Sequence, residues 1–145
     1  MLWMLESVTI PDSVLTVNSK AFGNCSGLRT VFIGAGVKNV PGNPFDGCTE
    51  LQAINIDAHH KYLTMQDGVL YVKEGMKLRC YPAAKDASTY TLPDGVTEIG
   101  ESAFSGNTEL QTLVIPSSVI RIHENAFKNG FGQKQNITLD VTDHA

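Results

Sequence analysis

The strongest constraint on the fold is a pattern of apolar residues that returns every 23 residues along the chain. Segment 5–27 reads LESVTIPDSVLTVNSKAFGNCSG, in which a V-x-I step and a proline precede two valines, an Ala-Phe pair and a cysteine. The same order returns from Leu28, in shortened form from Leu51, and again after residue 86. A fixed period of this length is typical of stacked-repeat proteins, in which each repeat forms one coil of a solenoid.

The V-x-I step of each repeat predicts a short strand, because alternate residues of a strand point to opposite faces. Two valines spaced three apart, Val14 and Val17, predict a second short extended piece or a turn. Ala21, Phe22 and Cys25 have helical spacing over barely one turn, which predicts a short 3₁₀ or α segment. Stacked coils would pair their strands in a parallel sheet. The repeated phenylalanines would then form one interior row: Phe22, Phe45, Phe104 and Phe127.

The third repeat is 13 residues longer than the period. Its β-prone runs 68–72 and 78–82 flank a glycine-containing segment, which predicts a β-hairpin insertion. We expect this hairpin to project from the stack, with Tyr62, Tyr71 and Tyr81 covering its base. The prediction for the whole chain is one domain, residues 1–145, with repeats near 5–27, 28–50, 51–86, 87–109 and 110–132 and a terminal strand at 136–141.

Charge and hydropathy exclude several classes of partner. The net charge is −4 and the eleven basic residues are scattered without a basic stripe, which argues against nucleic acid. No apolar run reaches about 18 residues, so we predict no membrane insertion. Segment 1–5 lacks the basic start and cleavage site of a signal peptide, and we expect a piece cut from a longer protein. Its apolar residues 2–5 would plug the first coil, with end-to-end self-association as the alternative.

No group of residues predicts catalysis, a metal site or a cofactor, so we predict that the chain is not an enzyme. A nucleophile motif and a phosphate-binding glycine loop are both missing. Cys25 and Cys48 share one position of neighbouring repeats, where a disulfide or metal pair competes with two buried thiols, and in-register stacking favours the thiols. Cys80 is interpreted as a packing residue without a partner. The histidines are predicted to face solvent, because no cysteine or carboxylate recurs at ligand spacing: His59, His60, His123 and His144.

The outward positions of the strands are the best candidates for binding a partner. They form two uncharged columns that are rich in hydroxyl groups. The first column is Thr9, Phe32, Asn55, Thr91 and Val114. The second column is Ser7, Thr30, Ala53, Thr89 and Thr112. Solenoids bind through such faces and Phe32 is a natural anchor, although threonine is also simply a favourable strand residue on a solvated surface.

The aligned repeats resemble the BspA-like, or Treponema-type, leucine-rich repeats of bacterial surface antigens. The segments that carry the resemblance are 5–27, TLPDGVTEIGESAFSGNTEL at 91–110 and VIPSSVIRIHENAFKNG at 114–130, so that it covers about residues 5–130. The hairpin insertion is similar to one common in that family, whereas Asn107 and Gly130 interrupt its cysteine column. The resemblance implies a leucine-rich-repeat solenoid, wound as a right-handed superhelix of short strands and 3₁₀ or α turns.

The same resemblance implies a function without catalytic residues. We predict a protein-binding or adhesion module of a bacterial protein that is displayed on the cell surface or secreted, and whose partner is a protein of a host or a neighbouring cell. One alternative is a carbohydrate-binding module that uses Phe32, Trp3 and the hairpin tyrosines. The other is a structural spacer within a larger surface protein.

Overall fold

The computed structural model describes residues 4–128 with their side chains and residues 138–142 by their backbone. Leu2, Trp3, Gly130 and His144, which the sequence singles out, lie outside these ranges. The described residues form eleven strands joined by turns. They are β1 (Ser7–Ile10), β2 (Thr30–Ile33), β3 (Ala53–Ile56), β4 (Leu63–Gln66), β5 (Val69–Val72), β6 (Lys77–Cys80), β7 (Thr89–Thr91), β8 (Glu98–Ile99), β9 (Thr112–Pro116), β10 (Arg121–Ile122) and β11 (Thr138–Thr142).

Parallel pairing of strands from successive coils confirms the solenoid. One sheet has the order β1-β2-β3, and a second has the order β7-β9-β11. In the first sheet Val8, Val31 and Ile54 are in register, one repeat apart. Strand β2 shows the expected alternation, because Val31 and Ile33 are buried while Thr30 and Phe32 are exposed. The V-x-I steps therefore form strands whose apolar side faces the core.

Each regular coil also contains the predicted second extended segment. In the first two coils this segment is reduced to a parallel bridge between Thr16 and Asn39. In the last two coils it forms β8 and β10, where Ile99 is in register with Ile122. A coil is thus a strand, a short second extended segment and a series of turns.

Consecutive turns replace the predicted 3₁₀ or α segment around residues 18–25. The amide of Ala21 donates to Asn18 O at 3.0 Å, and the amide of Gly23 donates to Lys20 O at 2.9 Å. These bonds span three residues, as in a 3₁₀ helix. Lys20 and Asn24, however, have positive φ angles of 64° and 60°. Left-handed residues at both places interrupt the right-handed run, so a helix cannot propagate.

The aromatic rings predicted to form one row lie in two groups that belong to different cores, and Tyr81 is an additional member of the second group. Phe22 stacks on Phe45 at a centroid distance of 5.8 Å, and Phe104 lies 5.5 Å from Phe127. Tyr81 fills the position of the third repeat and stacks on Phe104 at 5.0 Å. Its backbone amide donates to Ala103 O, as the amide of Phe104 donates to Ala126 O in the next coil.

The prediction that the hairpin projects from the stack is wrong. Strands β4, β5 and β6 pair antiparallel, but β6 also pairs parallel with β8, which gives a sheet of order β10-β8-β6-β5-β4. Val69, Leu70 and Tyr71 are completely buried. The sequence of β5, VLYV, is apolar on both faces, which is typical of a strand covered on both sides.

The hairpin divides the apolar core into two parts. Leu70 and Cys80 pack against the coils that carry β1, β2 and β3, which we call the first stack. Val69 and Tyr71 pack against the coils that carry β7 to β10, which we call the second stack. Successive residues of β5 thus contribute to different cores.

Candidate functional site

The proposed strand face is present as two patches rather than one continuous surface. The first patch lies on β1, β2 and β3 and consists of Ser7, Thr9, Thr30, Phe32, Ala53 and Asn55. The second patch lies on β7 and β9 and consists of Thr89, Thr91, Thr112 and Val114. Strand β3 is not hydrogen-bonded to β7, because the chain between them forms the hairpin sheet.

The first patch is the more exposed of the two. Thr9, Phe32 and Asn55 are in register across its three strands, and all three side chains are exposed. Phe32 lies on the central strand and retains 41% of its accessible surface. Its neighbours on the same face present hydroxyl and amide groups without a charge.

The second patch is partly covered. Thr89 and Thr91 are exposed, whereas Thr112 and Val114 are half-buried. The backbone register continues into β11, where residue 138 pairs with Thr112 and residue 140 with Val114. Sequence reasoning predicted a terminal strand here but did not extend the two columns onto it, although its period-2 alternation gives the signal.

The three cysteines lie in the first-stack core as buried free thiols. Cys25 and Cys48 are completely buried, and the thiol of Cys48 donates to Phe22 O at 3.0 Å. Burial raises the pKa of Cys48 to about 12, and a hydrogen bond from the backbone of Cys25 offsets part of this rise. Burial also raises the pKa of Cys80, and the proximity of Cys48 adds to this shift, so Cys80 has the neighbour that the sequence did not identify. Thiols held in this neutral form are poor nucleophiles.

His60 corrects the prediction that the histidines face solvent. Its side chain is only 2% exposed. Nε2 lies 3.1 Å from Gly34 O, and Nδ1 accepts from the amides of Tyr62 and Leu63 at 3.1 and 3.0 Å. Since Nδ1 accepts from these two amides, Nε2 is the nitrogen that donates to Gly34 O. His60 therefore links the segment that leads into the hairpin to the second coil by hydrogen bonds, while the adjacent His59 is exposed.

The hairpin tyrosines do not form an exposed platform for sugars. Tyr71 and Tyr81 are completely buried, and the hydroxyl groups of Tyr71 and Tyr90 are hydrogen-bonded to each other. Burial raises the pKa of all three phenols, that of Tyr81 to about 12. Tyr62 is half-buried.

A cluster of basic side chains is the feature that sequence reasoning missed. Five of the eleven basic residues line one open groove of about 610 Å³ beside the hairpin, which we call the basic groove. Its basic residues are Lys38, Lys61, Lys73, Lys77 and Arg79. They come from the second coil and from the hairpin, so only the fold brings them together. No local sequence motif predicts this cluster. The basic residues are scattered along the sequence, but five of them lie together on the surface.

Among residues 4–128 and 138–142, no three histidine, cysteine or carboxylate side chains converge as metal ligands would. Within those ranges no helix has the length and apolar character needed to cross a bilayer.

Comparison with known families decides the classification. The BspA type leucine rich repeat region matches residues 2–71 and 76–143, in six copies. The chain belongs to this BspA-type leucine-rich-repeat family. The short gap between the matched segments falls at the turn between β5 and β6, where the hairpin departs from the repeat. No curated protein matches the chain.

Solved structures with the same fold include a bacterial cell surface protein. A leucine rich cell surface protein from Faecalibacterium prausnitzii A2-165 is 28% identical, with a TM-score of 0.65 over 81% of this chain and 37% of that one. The pneumococcal vaccine antigen PcpA is 20% identical, with a TM-score of 0.72 over 94% of this chain and 40% of that one. A leucine-rich repeat protein from Eubacterium ventriosum ATCC 27560 is 13% identical, with a TM-score of 0.53 over 97% of this chain and 61% of that one. This BspA-type chain thus spans less than two thirds of each of these proteins.

Proposed function

We propose that this BspA-type chain is a non-catalytic protein-binding module of a bacterial cell-surface or secreted protein, and that the first patch contacts the partner. The observation that carries the proposal is Phe32, 41% exposed at the centre of β1, β2 and β3. An aromatic side chain within a ring of polar groups is the arrangement of an interface hot spot. Thr9, Thr30 and Asn55 supply the uncharged hydrogen-bonding groups around it.

The first patch has a rigid backbone, which favours binding. Ile10, Val31 and Ile33 fix the inner side of these strands in the core, with at most 4% exposure. The outward side chains therefore start from a rigid backbone, and little conformational entropy is lost when a partner docks. Single exposed apolar residues are common, so the argument depends on this position rather than on exposure alone.

The related structures support a location at the cell surface. One of them is described as a leucine rich cell surface protein and another as a pneumococcal vaccine antigen. Since this chain spans only part of either protein, the activity of the whole molecule is included in the proposal. The burial of Tyr71 and Tyr81 removes two of the aromatic side chains expected for the carbohydrate-binding alternative, which retains the exposed Phe32.

The test is binding to a panel of purified host matrix proteins by surface plasmon resonance, before and after Phe32→Glu. We expect this change to weaken binding by about 30-fold, because it places a charge at the hot spot. Leu15→Glu is the matched control, since Leu15 is an exposed leucine, 65% accessible, outside both patches. Thr91→Arg examines the second patch separately.

Unchanged affinity of both Phe32→Glu and Thr91→Arg, with an intact fold, would rule out the strand face. A glycan array probed with the same protein distinguishes a carbohydrate-binding module. A chain that binds neither the protein panel nor glycans would be a spacer.

A further inference from the structure

The basic groove lies where the second coil and the hairpin fail to stack. The second extended segments of the first two coils meet at the bridge between Thr16 and Asn39. The corresponding segment of the third coil is β6, which pairs with β8 on the other side. Segment 38–41 therefore has no strand against its outer edge among the described residues, and Val40 O accepts instead from Arg79 Nε at 2.6 Å. The resulting gap is the groove.

Three of the four lysine ammonium groups of the groove make specific contacts. Lys38 Nζ and Lys61 Nζ each lie 5.8 Å from the centroid of the Tyr62 ring. Lys73 Nζ donates to His60 O, a carbonyl of the buried histidine's own backbone. An ammonium that is already positioned loses less side-chain entropy when an anion binds.

The charge of the groove is positive and lysine-based. Arg79 is 9% exposed, and its Nη1 donates to Glu98 Oε2 at 3.0 Å, so its guanidinium is already paired. Four lysines remain, against a single acidic lining residue, Glu74. Lysine acts as a point charge and does not require the planar, bidentate geometry that arginine recognises. The groove is therefore suited to several separate anionic groups.

We propose that the basic groove binds a short acidic segment of a partner protein. This site is distinct from the strand face and does not depend on the proposed function of that face. A volume of about 610 Å³ is that of a compact ligand site and accommodates only a few residues. Val40, Pro41 and Val72 line the same groove and supply apolar contacts for the aliphatic parts of a peptide.

The charge outside the groove favours a short ligand over a long polyanion. Apart from the lining residues, the chain has six basic and fourteen acidic side chains. A nucleic acid or a long sulfated polysaccharide would extend beyond the groove onto this negative surface and be repelled. A short acidic peptide stays within the positive region, since screening limits its electrostatic contacts to about 8 Å at physiological salt.

The test is fluorescence anisotropy with a labelled hexa-aspartate peptide, with hexaserine as the uncharged probe. The groove variant is Lys38→Gln/Lys61→Gln/Lys77→Gln. The matched control removes three basic groups elsewhere, as Lys20→Gln/Arg29→Gln/Lys128→Gln, and so has the same net charge. We expect hexa-aspartate to bind the unmodified protein, to bind the groove variant about tenfold more weakly and to bind the control within about twofold of the unmodified protein. Phe32→Glu should leave this binding unchanged, which separates the result from the strand-face proposal.

Three results would overturn the assignment. They are no preference for hexa-aspartate over hexaserine, an equal loss in the groove and control variants, and tighter binding of a heparin oligosaccharide that the groove variant abolishes. The last would assign the groove to an anionic glycan. Amide NMR shifts in the unmodified protein provide a readout that does not depend on folding of the variants. Titrated hexa-aspartate should move the signals of Tyr62 and Val72 and leave that of Phe32 in place, and the reverse pattern would also contradict the proposal.

Discussion

The two stacks follow the same repeat pattern, but different types of side chain occupy the same buried position of the turn. In the first stack this position holds Cys25 and Cys48, which are completely buried thiols. In the second stack it holds Asn107, which is also completely buried. Asn107 Nδ2 donates to the carbonyl oxygens of Ala83 and Lys85, both at 3.1 Å. A small apolar group therefore suffices in one stack, whereas the other uses a side chain that makes four hydrogen bonds.

The difference follows from the neighbouring coil. In the first stack the amides of Leu28 and Leu51 donate to the carbonyls of Cys25 and Cys48, both at 3.1 Å. These backbone groups therefore need no side-chain partner. In the second stack the amide of Leu110 donates to Asn107 Oδ1 at 2.9 Å. Asn107 also donates to the chain just after the hairpin, at the carbonyls of Ala83 and Lys85. A polar side chain replaces the thiol where backbone groups would otherwise be buried without partners.

Asn107→Ala should reduce the free energy of unfolding most, and it tests the difference between the two stacks directly. The variant removes the partner that Asn107 provides to the buried Ala83 carbonyl and Leu110 amide and to the part-buried Lys85 carbonyl and Glu109 amide, and each buried unpaired group costs about 1–3 kcal/mol. We expect urea denaturation to show a loss of about 3 kcal/mol or more in the free energy of unfolding.

The matching change in the first stack is Cys48→Ala. It removes a sulfur atom that fills space and makes one bond to Phe22 O, so we expect a loss of about 1 kcal/mol. Equal losses for Asn107→Ala and Cys48→Ala would show that packing alone closes the turn in both stacks.

His60→Ala tests the junction between the stacks and should have the next largest effect. Nδ1 accepts from two backbone amides and Nε2 donates to Gly34 O, so the variant breaks the link between the hairpin and the second coil. We expect a loss of about 2 kcal/mol in the free energy of unfolding, together with faster amide hydrogen exchange at Tyr62 and Leu63.

The control is His59→Ala, because His59 is exposed and contributes only its backbone amide to the turn, by donating to Asp57 Oδ1. Its free energy of unfolding should stay within about 0.5 kcal/mol of the unmodified protein. Similar losses at the two positions would remove the structural role that we assign to His60.

The regular part of the fold could be predicted from the sequence because periodicity is a local signal. Strands β1, β2, β7 and β9 follow from residue types at fixed spacing, and so do the ring pairs Phe22–Phe45 and Phe104–Phe127. The outward residues Thr9 and Phe32 follow from the same alternation, although whether they bind a partner stays a prediction.

The hairpin and its surroundings could not be predicted in the same way. Its turn and strands are readable, but its burial depends on which coils it meets after stacking is interrupted. The basic groove arises there, since Lys38 and Lys77 are far apart in sequence and only the gap beside β6 brings them to one surface. His60 is buried for the same reason, because its partner Gly34 belongs to another coil. Long-range contacts that form where the hairpin interrupts the repeat leave no periodic signal in the sequence.

Tyr81→Phe should have the smallest effect and the opposite sign. Tyr81 stands where Phe22 and Phe45 stand in the first stack, and its buried hydroxyl has no hydrogen-bond partner among the described residues. Removing an unsatisfied hydroxyl while keeping the stacked ring should raise the free energy of unfolding by about 1 kcal/mol. Tyr71→Phe is the control with the reverse expectation, because the Tyr71 hydroxyl is bonded to that of Tyr90.

The gain from Tyr81→Phe should also depend on pH. Burial raises the pKa of Tyr81 from 10.0 to about 12, so between these values the unfolded chain releases a proton that the folded chain retains. The stability that Tyr81 contributes is complete below pH 10 and is lost as the pH rises through about 12. Phenylalanine has no such proton, and the advantage of the variant should therefore widen between pH 10 and 12 in urea denaturation. A constant difference across this range, or a less stable variant at neutral pH, would mean that the hydroxyl is satisfied in solution and that the second stack closes around Tyr81 differently.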